Sequence, residues 1–190
     1  AEFMENYEGS IRDAWHEYLE FGGLPQVALF KNRKQKIDYL SNLVTTVYVR
    51  DLIERNHIQN DDGMTELMRV LASSIGSPSN PSRIANTFAS TVHKGVSDDT
   101  IAKYIKYLEE SFLVYEALRY DVKGRKYIGT ETKYYFSDIG LRNSILELRQ
   151  IEENHSMENV IYNELKMRGF NVDVGRVEIR ENHIRNYLAV

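Results

Sequence analysis

Hydrophobic positions recur at helical spacing along most of the chain, and at strand spacing only around residues 113–136 and near the end. From Ser10 the apolar residues Ile11, Ala14, Trp15, Tyr18 and Leu19 lie three or four apart, and Gly22-Gly23 followed by Pro25 predicts a stop. A longer set, Ile37, Leu40, Leu43, Val44, Val47, Tyr48, Leu52 and Ile53, predicts a second helix. Lys31, Arg33, Lys34 and Lys36 stand before it or in its first turn, where cations oppose the helix dipole. That cluster reads as a solvated loop, with a partner contact as the alternative.

Three shorter helices follow the polar stretch 56–63. The first carries Met64, Leu67, Met68, Leu71, Ala72 and Ile75 and closes at Gly76. After the loop Ser77-Pro78-Ser79-Asn80-Pro81, the second starts at Ser82, carries Ile84, Ala85, Phe88, Ala89 and Val92, and ends near Gly95. Ser97-Asp98-Asp99 opens the third: a serine accepts bonds from the first free amides, and two acids suit the positive end of the dipole. Ile101, Ile105, Leu108 and Phe112 form its expected core face.

Two β-prone runs, 113–120 and 133–136, flank a basic turn over 121–126 and predict a hairpin. Three helices followed by a hairpin with a basic tip is the order of a winged helix-turn-helix. Beyond Gly140 the pattern predicts a short helix over 141–148. Another helix is expected from Ser156, with Glu158 in its first turn and Gly169 as its stop, followed by strands over 170–174 and 177–179. The expected class is mainly α with a small β part, α+β, divided into a helical segment 4–60, a winged-helix-like unit 61–140 and a partial α/β tail 141–190.

Composition changes this picture little. The chain has no cysteine, which excludes disulfides and thiolate ligands, and no apolar run near the roughly 18 residues of a membrane helix. A soluble, cytoplasmic protein with no membrane partner is expected. Ala1-Glu2-Phe3 ahead of Met4 lacks the marks of a signal peptide and reads as an expression scar. The net charge of -4 opposes attraction to phosphate, so a claim of DNA binding needs a local basic surface.

One series of segments resembles a known family. Glu17-Tyr18-Leu19-Glu20-Phe21-Gly22-Gly23-Leu24-Pro25 is similar to the YLxxGGxP segment that follows the nucleotide-binding module in prokaryotic AAA-type ATP-binding proteins. Val49-Arg50-Asp51-Leu52, Leu71-Ala72-Ser73-Ser74-Ile75-Gly76 and Val96-Ser97-Asp98-Asp99-Thr100-Ile101 agree in order. So do Lys133-Tyr134-Tyr135-Phe136-Ser137-Asp138-Ile139-Gly140-Leu141-Arg142 and the stretch from Glu158 to Gly169.

The resemblance implies the C-terminal part of such a protein: a domain of unknown function made of a winged helix and a tail like the PD-(D/E)xK nucleases. No G-x-x-x-x-G-K-[ST] occurs, so ATP and magnesium are expected only in a preceding ATPase module. The family's acidic E-x-D-F strand is missing before Tyr187-Leu188-Ala189-Val190, which reads as truncation or a scrambled end. The implied function is a non-catalytic regulatory or binding domain, with its own ATPase module and DNA as partners.

Two alternatives carry their own residues. A magnesium-dependent nuclease remnant needs carboxylates for the ion and a lysine beside the water. Glu158, Asp173 and Glu178 are the candidate ligands, with Glu164, Glu181 and Lys166 nearby, although an acid in a first helical turn is already explained by the dipole. An oligomerisation or protein-interaction module is the other alternative. For nucleic acid the candidates are Lys103, Lys106 and Tyr107 on the third helix, with Tyr104 beside them, and Arg119, Lys123, Arg125 and Lys126 on the wing, with Lys133 just after it. Asp98 and Asp99 stand against them at the turn that would meet base edges. The scattered histidines show no zinc spacing. Ser97 and Ser156 read as helix caps, and most tyrosines as packing.

Overall fold

The computed structural model describes residues 9–58, 61–92, 96–121, 124, 126–127, 129, 131–149, 152–181 and 184–189. Helix α1 (Ile11–Phe21) opens on a reciprocal cap, in which Ser10 Oγ accepts from the Asp13 amide at 3.2 Å and the Ser10 amide donates to Asp13 Oδ2 at 3.2 Å. Ala14, Leu19 and Phe21 are buried, but Ile11 and Trp15 of the expected core face are exposed. Gly22 ends the helix at φ +77°. Pro25 begins a new helix, α2 (Pro25–Leu29), rather than a plain turn, because its missing N–H costs nothing in a first helical turn.

The basic cluster corrects the loop reading. Helix α3 (Arg33–Asn42) already contains Arg33, Lys34 and Lys36, and Asn32 caps it by accepting from the Lys34 amide at 2.8 Å. Lys36 is buried, ion-paired with Glu17 and set over the Phe21 ring at 5.4 Å. Burial pulls its ammonium pKa down. Arg33 Nη2 lies 2.6 Å from Glu20. These two acids on α1 offset the unfavourable dipole and tie α3 to α1. Then α3 continues through a π-helical stretch (Leu43–Arg50) into α4 (Asp51–Asn56), so the expected long helix exists but is wound partly to the wider i→i+5 ring.

Helices α5 (Asp61–Ser73), α6 (Pro81–Val92) and α7 (Asp98–Glu110) pack pairwise on one another. Met64, Leu67, Met68, Leu71, Ile84, Phe88, Ile101, Ile105 and Leu108 are buried between them and their neighbours. Burial of each such side chain contributes roughly 1.5–3 kcal/mol. The expected cap of α7 is present: Ser97 Oγ accepts from the Thr100 amide at 3.2 Å. Phe112 departs from its expected core role: it lies past the helix end at φ +58° and is exposed.

The expected single hairpin is divided between two sheets. Strand β1 (Val114–Ala117) pairs antiparallel with β4 (Lys133–Phe136), with Val114 opposite Phe136 and Ala117 opposite Lys133. At Leu118 the chain changes partner, because its carbonyl accepts from the Val174 amide at 2.8 Å. Strand β2 (Arg119–Asp121) therefore joins a second sheet of order β3-β2-β5-β6. There it lies antiparallel to β3 (Lys126–Tyr127) and parallel to β5 (Val174–Glu181), which pairs antiparallel with β6 (Ile184–Ala189).

The far edge of β4 is occupied as well. Thr132 and Ser79 exchange two amide bonds at 2.8 Å, and the Gly76 amide donates to the Tyr134 carbonyl at 3.2 Å. Asn159 accepts from the Phe136 amide and donates to its carbonyl, both at 2.7 Å.

Helix α8 (Ile139–Ile145) is shorter than expected. Helix α9 (Glu153–Met167) starts three residues before the expected serine, so Ser156 is a buried interior residue and not a cap. Gly169 stops it at φ +83°. Residues 170–173 form no strand, and β5 begins only at Val174. The mainly helical α+β class holds, and among the described residues no helix is long and apolar enough to cross a membrane.

Candidate functional site

The segments that carried the resemblance meet at two places, and the first is a structural junction. Asp138 caps α8, with Oδ1 accepting from the Gly140 and Leu141 amides at 2.8 and 3.2 Å, while Oδ2 accepts from Gly23 at 2.8 Å. Burial pushes its carboxyl pKa up, and the three amides offset only part of that rise. The glycines are there for clearance. A Cβ at Gly22 would lie 2.1 Å from Asp138 Oδ1, and one at Gly140 would lie 2.0 Å from the Phe21 carbonyl oxygen.

Arg142 is fully buried; its Nε donates to the Ala72 carbonyl at 2.8 Å and Nη1 to Asn143 Oδ1 at 3.1 Å. Asn143 in turn donates to the carbonyls of Leu19 and Glu20 at 2.8 and 2.9 Å. Almost all the acceptors and donors here are backbone groups of α1, α5 and α8, so these polar residues hold helices together.

The second place is a cleft of about 470 Å³ where α9, the β1–β4 pair and the start of β5 meet. Helix α9 supplies Glu158, β4 supplies Lys133 and Tyr135, and the approach to β5 supplies Asp173. Glu158 Oε1 accepts from Lys133 Nζ at 2.7 Å and from the Tyr135 hydroxyl at 2.6 Å. The Tyr135 pKa is pushed up first by burial and then by this carboxylate. Its ring stacks on Tyr162 with centroids 4.3 Å apart. Tyr127 donates to Asp173 Oδ2 at 3.0 Å, a bond that raises its own pKa.

Glu158 lies beyond the first turn of α9, so the dipole does not account for it. Neither Lys133 nor Tyr135 stood out as a cleft residue in the sequence. The available signal was their spacing of two on a strand, which places both on one face.

Of the remaining acidic candidates, Glu164 is paired with Arg168 at 2.6 Å, and the side chains of Glu178 and Glu181 lie outside the described residues. Lys166 is exposed near the end of α9. Among the described residues no three His, Cys, Asp or Glu side chains come together closely enough to hold a metal ion.

On α7, Lys103 and Lys106 are exposed. The Lys103 ammonium lies 5.7 Å above the Tyr107 ring, and Lys106 is 3.8 Å from Glu110. Tyr104 and Tyr107 stack at 6.5 Å and pack partly buried against the core. Asp98 is bonded by the Ser82 hydroxyl of α6, while Asp99 is exposed.

Arg119 departs from its expected place on the wing surface. It is buried, with Nη1 2.8 Å from Glu131, an acid that also lies 3.4 Å from Arg83. Lys133 is likewise turned into the cleft. Lys123 and Arg125 lie outside the described residues, and of Lys126 only the backbone in β3 is described.

Sequence reasoning also passed over Glu109 at the end of α7. Its half-buried carboxyl is pushed up to about 7 by burial, then by Glu116 and Glu110, against a smaller opposing pull from Lys106.

Relatives span bacteria and archaea. An uncharacterized protein of Haemophilus influenzae is 32% identical over 181 residues, which are 95% of this chain and 45% of that protein. Uncharacterized protein MJ1544 of Methanocaldococcus jannaschii is 25% identical over 155 residues, 82% of this chain and 34% of its own length. The chain thus spans less than half the length of these curated relatives. A family model matches residues 12–152, a stretch that includes the whole junction, Lys133 and Tyr135 but stops before Glu158 and Asp173. By that match the chain belongs to the family described as Domain of unknown function (DUF8612).

Proposed function

We propose that the chain is a non-catalytic regulatory or binding module of a larger AAA-type ATP-binding protein, and that the part from α5 to β4 is a winged helix that contacts DNA through α7. The observation that carries this reading is the order helix, bridge, helix, helix and the antiparallel β1–β4 pair. The Ser79–Thr132 bridge joins the linker between α5 and α6 to the hairpin, which leaves α7 as the third helix with Lys103 and Lys106 outward. In a winged helix those cations meet phosphate and set the register of the helix in the major groove. Lys123, Arg125 and Lys126 of the sequence add positive charge to the same module in this reading. The greater length of the relatives leaves room for the ATPase module that the segment resemblance implies, and ATP and magnesium belong there.

Fluorescence anisotropy of a labelled duplex at low and moderate salt tests the DNA contact. Binding should weaken with salt, and Lys103→Ala with Lys106→Ala should lower the salt slope by about 2, one for each lost phosphate contact. Absence of salt-dependent binding removes the DNA half of the proposal.

A second reading, a magnesium-dependent nuclease remnant, is favoured by Glu158 and Asp173 lining one cleft beside Lys133. The donor set fits a divalent ion poorly: Glu158 Oε1 is already shared by Lys133 and Tyr135, and among the described residues no third carboxylate joins the pair. Cutting of plasmid DNA with magnesium or manganese, lost in Glu158→Ala, would put this reading first.

A further inference from the structure

We propose that the cleft beside α9 is a binding site for an organic cation, an ammonium or guanidinium carried on an apolar stem, with Glu158 and Asp173 as its counter-charges. The inference is independent of the winged-helix reading.

Size and wall chemistry come first. At about 470 Å³ the cleft falls within the roughly 300–1,000 Å³ typical of small-ligand sites. Ile161, Leu165 and Val172 make its sides, and Tyr135 stacked on Tyr162 adds aromatic surface. Such walls suit an apolar stem and do not solvate a bare ion.

Charge narrows the class further. Among the described residues Lys133 is the cation of the lining and it is paired with Glu158 at 2.7 Å, so two carboxylates face one ammonium and these residues carry one net negative charge. An anionic ligand would therefore be repelled.

The hydrogen-bonding capacity that remains points the same way. The Tyr135 hydroxyl and one of the three Lys133 N–H donors are engaged with Glu158 Oε1. Glu158 Oε2 lies toward Gly76 and His155, outside the lining of the cleft, so Glu158 gives the site its charge while the open acceptor is Asp173 Oδ1. Tyr127 occupies only Oδ2 of Asp173. The site thus offers acceptors, negative charge and apolar surface together, and a protonated amine or guanidinium with a hydrocarbon body satisfies all three.

Isothermal titration of the intact chain tests this with four probes of defined charge: benzamidine, neutral benzamide, benzoate and magnesium ion. Benzamidine should bind at least tenfold more tightly than benzamide, and benzoate should not bind. Glu158→Gln frees the Lys133 charge and should weaken benzamidine at least tenfold. The exposed Asp173→Asn should weaken it severalfold with the fold unchanged by circular dichroism. The double variant inverts the local charge, so it should prefer benzoate.

Equal binding of benzamidine and benzamide would overturn the proposal, as would binding of magnesium without benzamidine, or single variants that leave benzamidine affinity unchanged. Two further probes distinguish the sources of the cation. Acetylarginine amide binding as well as an arginine-containing octapeptide indicates a free small cation, whereas tenfold tighter binding of the peptide indicates a side chain of a partner protein.

Discussion

The α8 junction and the α9 cleft both gather charged and polar residues from distant parts of the chain, but they use them in opposite ways. At the junction Asp138 spends its acceptors on three amides, and Arg142 and Asn143 reach the carbonyls of Ala72, Leu19 and Glu20. The partners are mostly backbone, the groups are buried, and an added Cβ at Gly22 or Gly140 would clash. In the cleft Lys133, Tyr135 and Glu158 satisfy one another through side chains, and Glu158 keeps 39% of its side chain exposed. A polar residue that answers to backbone fixes the fold, whereas one that answers to side chains beside open volume retains capacity for a ligand.

The most forceful way to break that contrast is Gly140→Ala. Its Cβ would lie 2.0 Å from the Phe21 carbonyl oxygen, backbone against backbone, so the variant should fail to give folded protein by circular dichroism. Native-like melting would show that the junction yields and would remove the contrast. Asp138→Ala should be the next most severe. It leaves three amides at the α1–α8 contact without their acceptor, and urea denaturation should show a loss of about 3 kcal/mol.

At the cleft the effects on stability should be smaller. Glu158→Gln keeps a carbonyl acceptor for Lys133 and Tyr135 but removes the counter-charge of a buried lysine, so it should cost about 1–2 kcal/mol. A loss as large as that of Asp138→Ala would make the cleft a second structural junction.

The smallest expected effect is a pH dependence away from both places. Glu109 is raised from 4.5 to about 7 in the folded chain, so the folded state holds its proton where the unfolded state has released it. Its contribution is fully present below pH 4.5, declines as pH rises, and is gone above about 7. Glu109→Gln should flatten that part of the urea midpoint against pH, and an unchanged profile would assign the slope to other groups.

Local features were legible in the sequence and long-range ones were not. The Ser97 cap, the stop at Gly76 and the apolar spacing of α5, α6 and α7 depend on residues within a turn or two of each other, and each is where the pattern placed it. The burial of Lys36 depends on Glu17 and Phe21 from another helix, so the basic cluster looked solvated. The division of the hairpin at Leu118 depends on Val174, and no spacing within 113–136 carries that information. Arg119 and Lys133 looked like wing cations for the same reason, because Glu131 and Glu158 are partners that only the tertiary structure supplies. The junction glycines were visible as a motif, but their purpose required the Phe21 and Asp138 contacts.

A two-stranded ribbon ordinarily offers a bare margin onto which another chain can hydrogen-bond, a route to strand addition and aggregation. Along β4 that margin is closed: Ser79 takes both groups of Thr132, Gly76 takes the carbonyl of Tyr134, and the amide of Asn159 imitates a neighbouring strand at Phe136. Growth of this ribbon along β4 by a guest peptide would require displacing two separate parts of the same molecule, the α5–α6 linker and α9.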